Sequence, residues 1–74
     1  MQIDRDKVDN ADLALFYLTL HDGDRAWKGA DWDVLSRLHE KRLIYDPVGK
    51  AKSVQMTDEG LAECRRLFKL MFSV

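Results

Sequence analysis

Three small groups of side chains in this 74-residue chain have chemistry to offer. Ser36, Arg37 and Lys41 form the first, and Lys50, Lys52 and Ser53 the second. Hydroxyl, guanidinium and ammonium groups are donors suited to phosphate oxygens and acceptor-rich edges. The third group is made of residues that bind metals or act as nucleophiles elsewhere: His21 with Asp22 and Asp24, His39, and Cys64.

Spacing removes the more specific readings of the second and third groups. VGKAKS carries a glycine-lysine pair, but a phosphate-cradling loop needs G-x-x-x-x-G-K-[ST]. Here Ile44 stands where the first glycine belongs, and Ala51 follows the lysine. DGDRAWKGADWD, residues 22–33, has the length of a calcium loop. Ala26 at its fifth position, Trp27 where glycine is required and Asp33 at its last argue against one. His21 reads as a solvated helix end, and His39 has no Cys or His partner at ligand spacing. Cys64 falls on an apolar stripe and reads as a small core residue. No Ser/His/Asp grouping or carboxylate pair is evident. The expectation is a protein that is not an enzyme, with no catalytic residues, metal, cofactor or small-molecule substrate.

The remaining donors need elements to hold them. Asp4 can cap a first helix, with Ile3 and Val8 as a hydrophobic staple. Val8, Ala11, Leu15 and Leu18 form its stripe, which Leu13, Phe16, Tyr17 and Leu20 widen until the helix is apolar around much of its girth. Such a helix is expected to pack on its own domain and on something else. His21-Asp22-Gly23-Asp24 ends it, with Gly23 free to take a left-handed conformation. A short second helix is predicted from Asp24 to Lys28, stopped near Gly29. Asp31 caps a third, running to about Arg42, with Leu35 and Leu38 inward and Asp33, Ser36, Arg37, Glu40 and Lys41 outward. Two helices joined by a glycine-containing turn make a helix-turn-helix. Leu43–Asp46 reads as a strand, Pro47-Val48-Gly49-Lys50 as a turn, and Ser53–Met56 as an alternating strand. Thr57 caps the last helix, whose stripe is Leu61, Cys64, Leu67, Phe68, Met71 and Phe72. Trp32 is expected near the core and Trp27 partly exposed.

Bulk properties bound the answer further. Twelve Lys and Arg oppose thirteen Asp and Glu, for a net charge of −1. Nucleic-acid-binding domains usually carry a basic excess; here residues 47–74, with five bases and three acids, show only a mild tilt. A domain this small buries about 60% of its unfolded surface and is marginal alone. A single cysteine excludes an internal disulfide. No signal-peptide core opens the chain, and LALFYLTL is too short to span a membrane. One domain over 1–74, cytoplasmic and without a membrane partner, is the expectation.

LSRLHEKRLI (Leu35 to Ile44) resembles the L-x-x-L-x-x-x-G-L-I exit of the third helix in MarR-like and PadR-like regulators. SVQMTDEGLAECRRLF resembles their second wing strand followed by L-T-x-x-G. The resemblance implies a mainly α fold with a small antiparallel β-hairpin: a winged helix-turn-helix of three helices, a two-stranded wing and a C-terminal helix. Arg42 stands where that pattern has glycine; if the backbone there is left-handed, Arg costs about 1 kcal/mol relative to Gly. AWKGADWDVLSRLHEKRLI, DPVGKAKSV and TDEGL also resemble short bacterial proteins grouped as a domain of unknown function. That likeness spans nearly the whole chain, implies a complete protein, and brings no activity.

Two readings stay open. In the first, implied by the winged-helix resemblance, a dimer binds double-stranded DNA. Ser36, Arg37 and Lys41 read the groove, and Lys50 and Lys52 contact it from the wing. Against it, acids and bases cancel three to three between Asp31 and Arg42, and lysines on a surface hairpin also serve solubility. In the second, the protein is a non-catalytic interaction module. Two copies pair as a homodimer through Phe16, Leu20, Phe68, Met71 and Phe72, with Trp27 as a further partner anchor.

Overall fold

The computed structural model describes residues 1–74. Helix α1 spans Arg5–Leu15, strand β1 Arg25–Trp27, helix α2 Trp32–Glu40, strand β2 Ser53–Gln55 and helix α3 Asp58–Phe72. The architecture is mainly helical, with one two-stranded antiparallel sheet in which Arg25 faces Gln55, Ala26 faces Val54 and Trp27 faces Ser53. No helix is long and apolar enough to cross a membrane.

Each helix starts where a side-chain oxygen can take a free amide. Asp4 accepts from the Lys7 N–H at 3.2 Å, Asp31 from Asp33 at 3.1 Å, and Thr57 from Gly60 at 3.0 Å. The end of α1 is less abrupt than predicted. The α-helix stops at Leu15, and Phe16–Thr19 continues it as a tighter 3-10 turn.

The predicted second helix is corrected by the structure: Arg25–Trp27 is a strand. Asp22 and Gly23 both adopt positive φ, at 51° and 85°, and reverse the chain. His21 and Arg25 then exchange backbone hydrogen bonds of 2.8 and 3.0 Å across the reversal. Between this turn and Gly29 too few residues remain to offset the cost of helix nucleation. Pairing with β2 satisfies their amides instead. The helix-turn-helix expected ahead of α2 is therefore absent as such.

The predicted hairpin is also reassembled. The main partner of β2 is β1, not the segment after α2. That segment contributes an isolated Ile44–Met56 bridge and a 2.9 Å bond from the Tyr45 N–H to the Gln55 carbonyl. The exit from α2 is made by Arg42 at φ 60°, the left-handed conformation for which the pattern supplies glycine. Arg42 adopts it under tertiary restraint: the Thr57 hydroxyl donates to its carbonyl at 2.8 Å, and the Thr57 N–H donates to Leu43 at 3.1 Å. Gly60 completes this clamp, because a β-carbon there would collide with the Leu43 carbonyl oxygen.

The core gathers Leu13, Ala14, Phe16, Ala26, Val34, Leu35, Leu38, Ile44, Val54, Met56, Cys64 and Leu67. Cys64 is fully buried, and burial pushes its thiol up to about 11, so it stays protonated and inert. Two expectations fail. The stripe Val8, Leu15 and Leu18 is exposed, because α1 turns Asp9, Leu13 and Phe16 inward instead. Trp32 is 55% exposed, almost the same as Trp27. It is the first residue of α2, where the helix has only just reached the core.

Candidate functional site

Helix α2 divides its surroundings. Val34, Leu35 and Leu38 anchor it in the core, leaving two flanks. On the flank toward α1, Arg37 and Lys41, four residues apart, point the same way. Both meet Asp9, which is 0% exposed. The Arg37 guanidinium donates through Nε at 3.0 and 2.8 Å and through Nη2 at 2.7 Å, a two-pronged grip on one carboxylate. The Lys41 ammonium donates to Asp9 at 3.0 Å and to Asp6 at 3.2 Å. Hydrogen bonds from Arg37 hold the Asp9 carboxyl below the usual carboxylate range; burial opposes this, and Lys41 adds to the lowering. Arg37 is thus half-buried toward α1, correcting its outward placement, while Lys41 reaches the same carboxylate and stays exposed as expected.

The other flank holds Trp32, Asp33, Ser36, His39 and Glu40. With Asp46, Pro47 and Val48 they line an open cleft of about 320 Å³. Ser36 is exposed there among three carboxylates, with no lysine or arginine in the lining. A phosphate brought to Ser36 would meet repulsion from Asp33, Glu40 and Asp46.

Trp32 is the ridge between this acidic cleft and a second one of about 520 Å³, lined by Lys28, Leu35, Lys52 and small residues. The Lys28 ammonium sits 5.8 Å from the centre of the Trp32 ring and donates to the Gly49 carbonyl at 3.3 Å. The Lys28 N–H bonds the Lys52 carbonyl at 2.8 Å, so the end of β1 fixes the far wall of the cleft. Lys50 and Lys52 are both exposed, and neither is in a salt bridge. Lys28 was not among the residues singled out from sequence. Its cue is the strand it follows, which sequence reading took for a helix.

The residues expected at a partner interface separate. Phe16 is 5% exposed and belongs to the core, because the 3-10 turn rotates it inward, so it cannot serve an interface. Leu20 is half-buried against that core. Trp27 is 53% exposed and packs on the His21 ring at 4.6 Å. Phe68 is half-buried between Tyr17, stacked at 4.6 Å, and Phe72, at 5.5 Å. Met71 and Phe72 are exposed, as is Leu70 beside them. To these the structure adds Val8 and Leu15 on α1 and Leu18, 67% exposed, on the 3-10 turn after it. The apolar surface is therefore real, though differently composed. Asp9 was missed altogether; its cue is a position four before Leu13 and seven before Phe16, the spacing of one helix face.

A family model described as a domain of unknown function (DUF6429) matches residues 4–74. The uncharacterized protein y4hR of Sinorhizobium fredii is similar to this chain. The two are 55% identical over 73 residues, which is 99% of this chain and 99% of that protein. No solved structure matches.

Proposed function

We propose, for a chain that belongs to the DUF6429 family of unknown function, a non-catalytic interaction module that pairs with a second copy of itself through α1 and α3. The observation that carries this reading is the apolar surface left on the two helices. Val8 and Leu15 are exposed on α1 and Leu18 on the 3-10 turn that follows it, and Leu70, Met71 and Phe72 are exposed at the end of α3. Exposed apolar side chains in such number mark association sites, and a chain of this length gains most from covering them.

Charge favours a second copy as the cover. Residues 4–12 show solvent Asp4, Asp6 and part of Asp12 against Arg5 and Lys7, whereas near the end of α3 Arg65 and Lys69 are exposed and outside any salt bridge, with Arg66 paired to Glu63. Setting α1 of one copy on the end of α3 of the other brings opposite signs together. A two-fold axis then makes the same contact twice.

The order helix, strand, helix, bridge, strand, helix supports reading the frame as a winged-helix relative whose second helix has become β1. The exposure of Lys50 and Lys52 favours a second reading, contact with duplex DNA from the wing. The engagement of Arg37 and Lys41 by Asp9 counts against it, as do the acids around Ser36.

Light scattering coupled to size exclusion tests the first reading. The expected particle has twice the 8.6 kDa chain mass, and Leu18→Glu or Met71→Glu reduces it to one chain without unfolding it. A wild-type monomer at every concentration removes the proposal. Anisotropy with labelled duplex addresses the second: salt-sensitive binding abolished by Lys50→Glu with Lys52→Glu would establish it, and no binding at low salt would end it.

A further inference from the structure

We propose that the cleft between Trp32 and the 49–52 turn binds a nucleotide of single-stranded nucleic acid, with a base on the indole and its phosphate between Lys28 and Lys52. This goes beyond self-association and does not depend on it. Three properties of the cleft point the same way. It is a shallow depression open to solvent, of a kind a single base can enter from the side. Its lining contains Lys28 and Lys52 and no carboxylate. Its one large aromatic, Trp32, is more than half exposed at a position where the fold does not use it as core.

The present contacts of Lys28 are those of a cation waiting for a better acceptor. Its ammonium lies over a ring face and on one neutral carbonyl, that of Gly49. A phosphate oxygen is a charged acceptor and displaces both. Moving the ammonium to a phosphate frees the indole face for stacking. The opposite wall, at Gly49 and Ala51, has almost no side-chain bulk to block a base.

The surroundings select an unpaired strand over a duplex. Stacking on Trp32 requires a base free of its partner. A duplex would also lay a second phosphate lane across the ridge, toward Asp33, Glu40 and Asp46, where the charge is adverse. A single strand needs only the lysine side, and Lys50, exposed in the turn between the lining residues Gly49 and Ala51, adds a further cation there.

The test is anisotropy of a labelled oligothymidylate with the wild-type chain at rising salt. Competition by unlabelled thymidine monophosphate and by duplex of the same length completes it. The strand is expected to bind at low salt, with competition by duplex and monophosphate at least about tenfold weaker. Trp32→Ala should weaken binding about tenfold, the loss of one stacked base, and Trp32→Phe should restore most of it. Lys28→Gln and Lys52→Gln should each lower the salt slope by about 0.7. Any of three outcomes with the wild-type chain overturns the proposal: no binding to the strand, equal competition by duplex, or equal competition by monophosphate, which would assign the cleft to free nucleotides. Binding unaffected by Trp32→Ala in a chain that still melts cooperatively also overturns it.

Discussion

Along one flank of α2, Arg37 and Lys41 direct their charge at a carboxylate sealed from water. At the start of α2, Lys28 and Lys52, which belong to the segments beside the helix, line a cleft with Trp32, and Lys28 has an aromatic face and a backbone carbonyl for company. The two places hold the same number of cations and differ in what lies within reach. Asp9, twenty-eight residues before Arg37, and Asp6 together answer the charge of the first pair; nothing acidic lines the cleft of the second. A count of charges along the chain treats them alike. Availability for a ligand is a property of the tertiary neighbourhood, and here it shifts from the helix expected to present the donors to the loop ends beside it.

This contrast breaks most visibly at Asp9. Asp9→Ala removes the acceptor of several charge-assisted hydrogen bonds from two cations that stay partly exposed, and should cost about 1.5–3 kcal/mol, read as a fall in urea midpoint. Should the loss stay below about 1 kcal/mol, the inner flank is not the structural one. Acid supplies a milder version. The folded-state pKa of Asp9 is lowered, so its contribution is fully present above the ordinary carboxylate value near 4 and is lost as pH falls through the folded value. Asp12, one turn on, has the opposite sign. Burial raises it, helped by Asp9 and Asp31, so its contribution weakens the fold as pH rises. Thermal melts should therefore drop below pH of about 4 in the wild type, and drop less in Asp9→Asn. The Trp32 cleft should give the smallest response: Lys52→Gln should leave stability within about 0.5 kcal/mol in the same melts, whatever it does to ligand binding.

Local signals were legible wherever one side chain could satisfy them. Asp4, Asp31 and Thr57 cap the helices they were expected to cap. The glycine expected after α2 marks a left-handed residue even though Arg42 occupies it. What escaped was decided by distant partners. Residues 24–28 were too few to choose helix or strand themselves, and β2, nearly thirty residues on, made the choice. On α1 two stripes had helical spacing, and the sequence favoured the more apolar one. The fold buried the stripe containing Asp9 because α2 supplied the charges that make such burial tolerable. Trp32 shows the same limit, since size and apolarity do not say whether a helix has reached the core by its first residue.

The clamp of Thr57 and Gly60 on Arg42 and Leu43 has an evolutionary consequence. It joins the two ends of the excursion from residue 44 to 56 independently of what the excursion contains. With the ends already brought together, doubling the length of the exposed turn costs only about 0.6 kcal/mol. Val48 to Ala51 is thus a segment where insertions can accumulate without being felt at α3. A lineage could remodel the rim of the Trp32 cleft, residue by residue, while inheriting the rest of the protein unchanged.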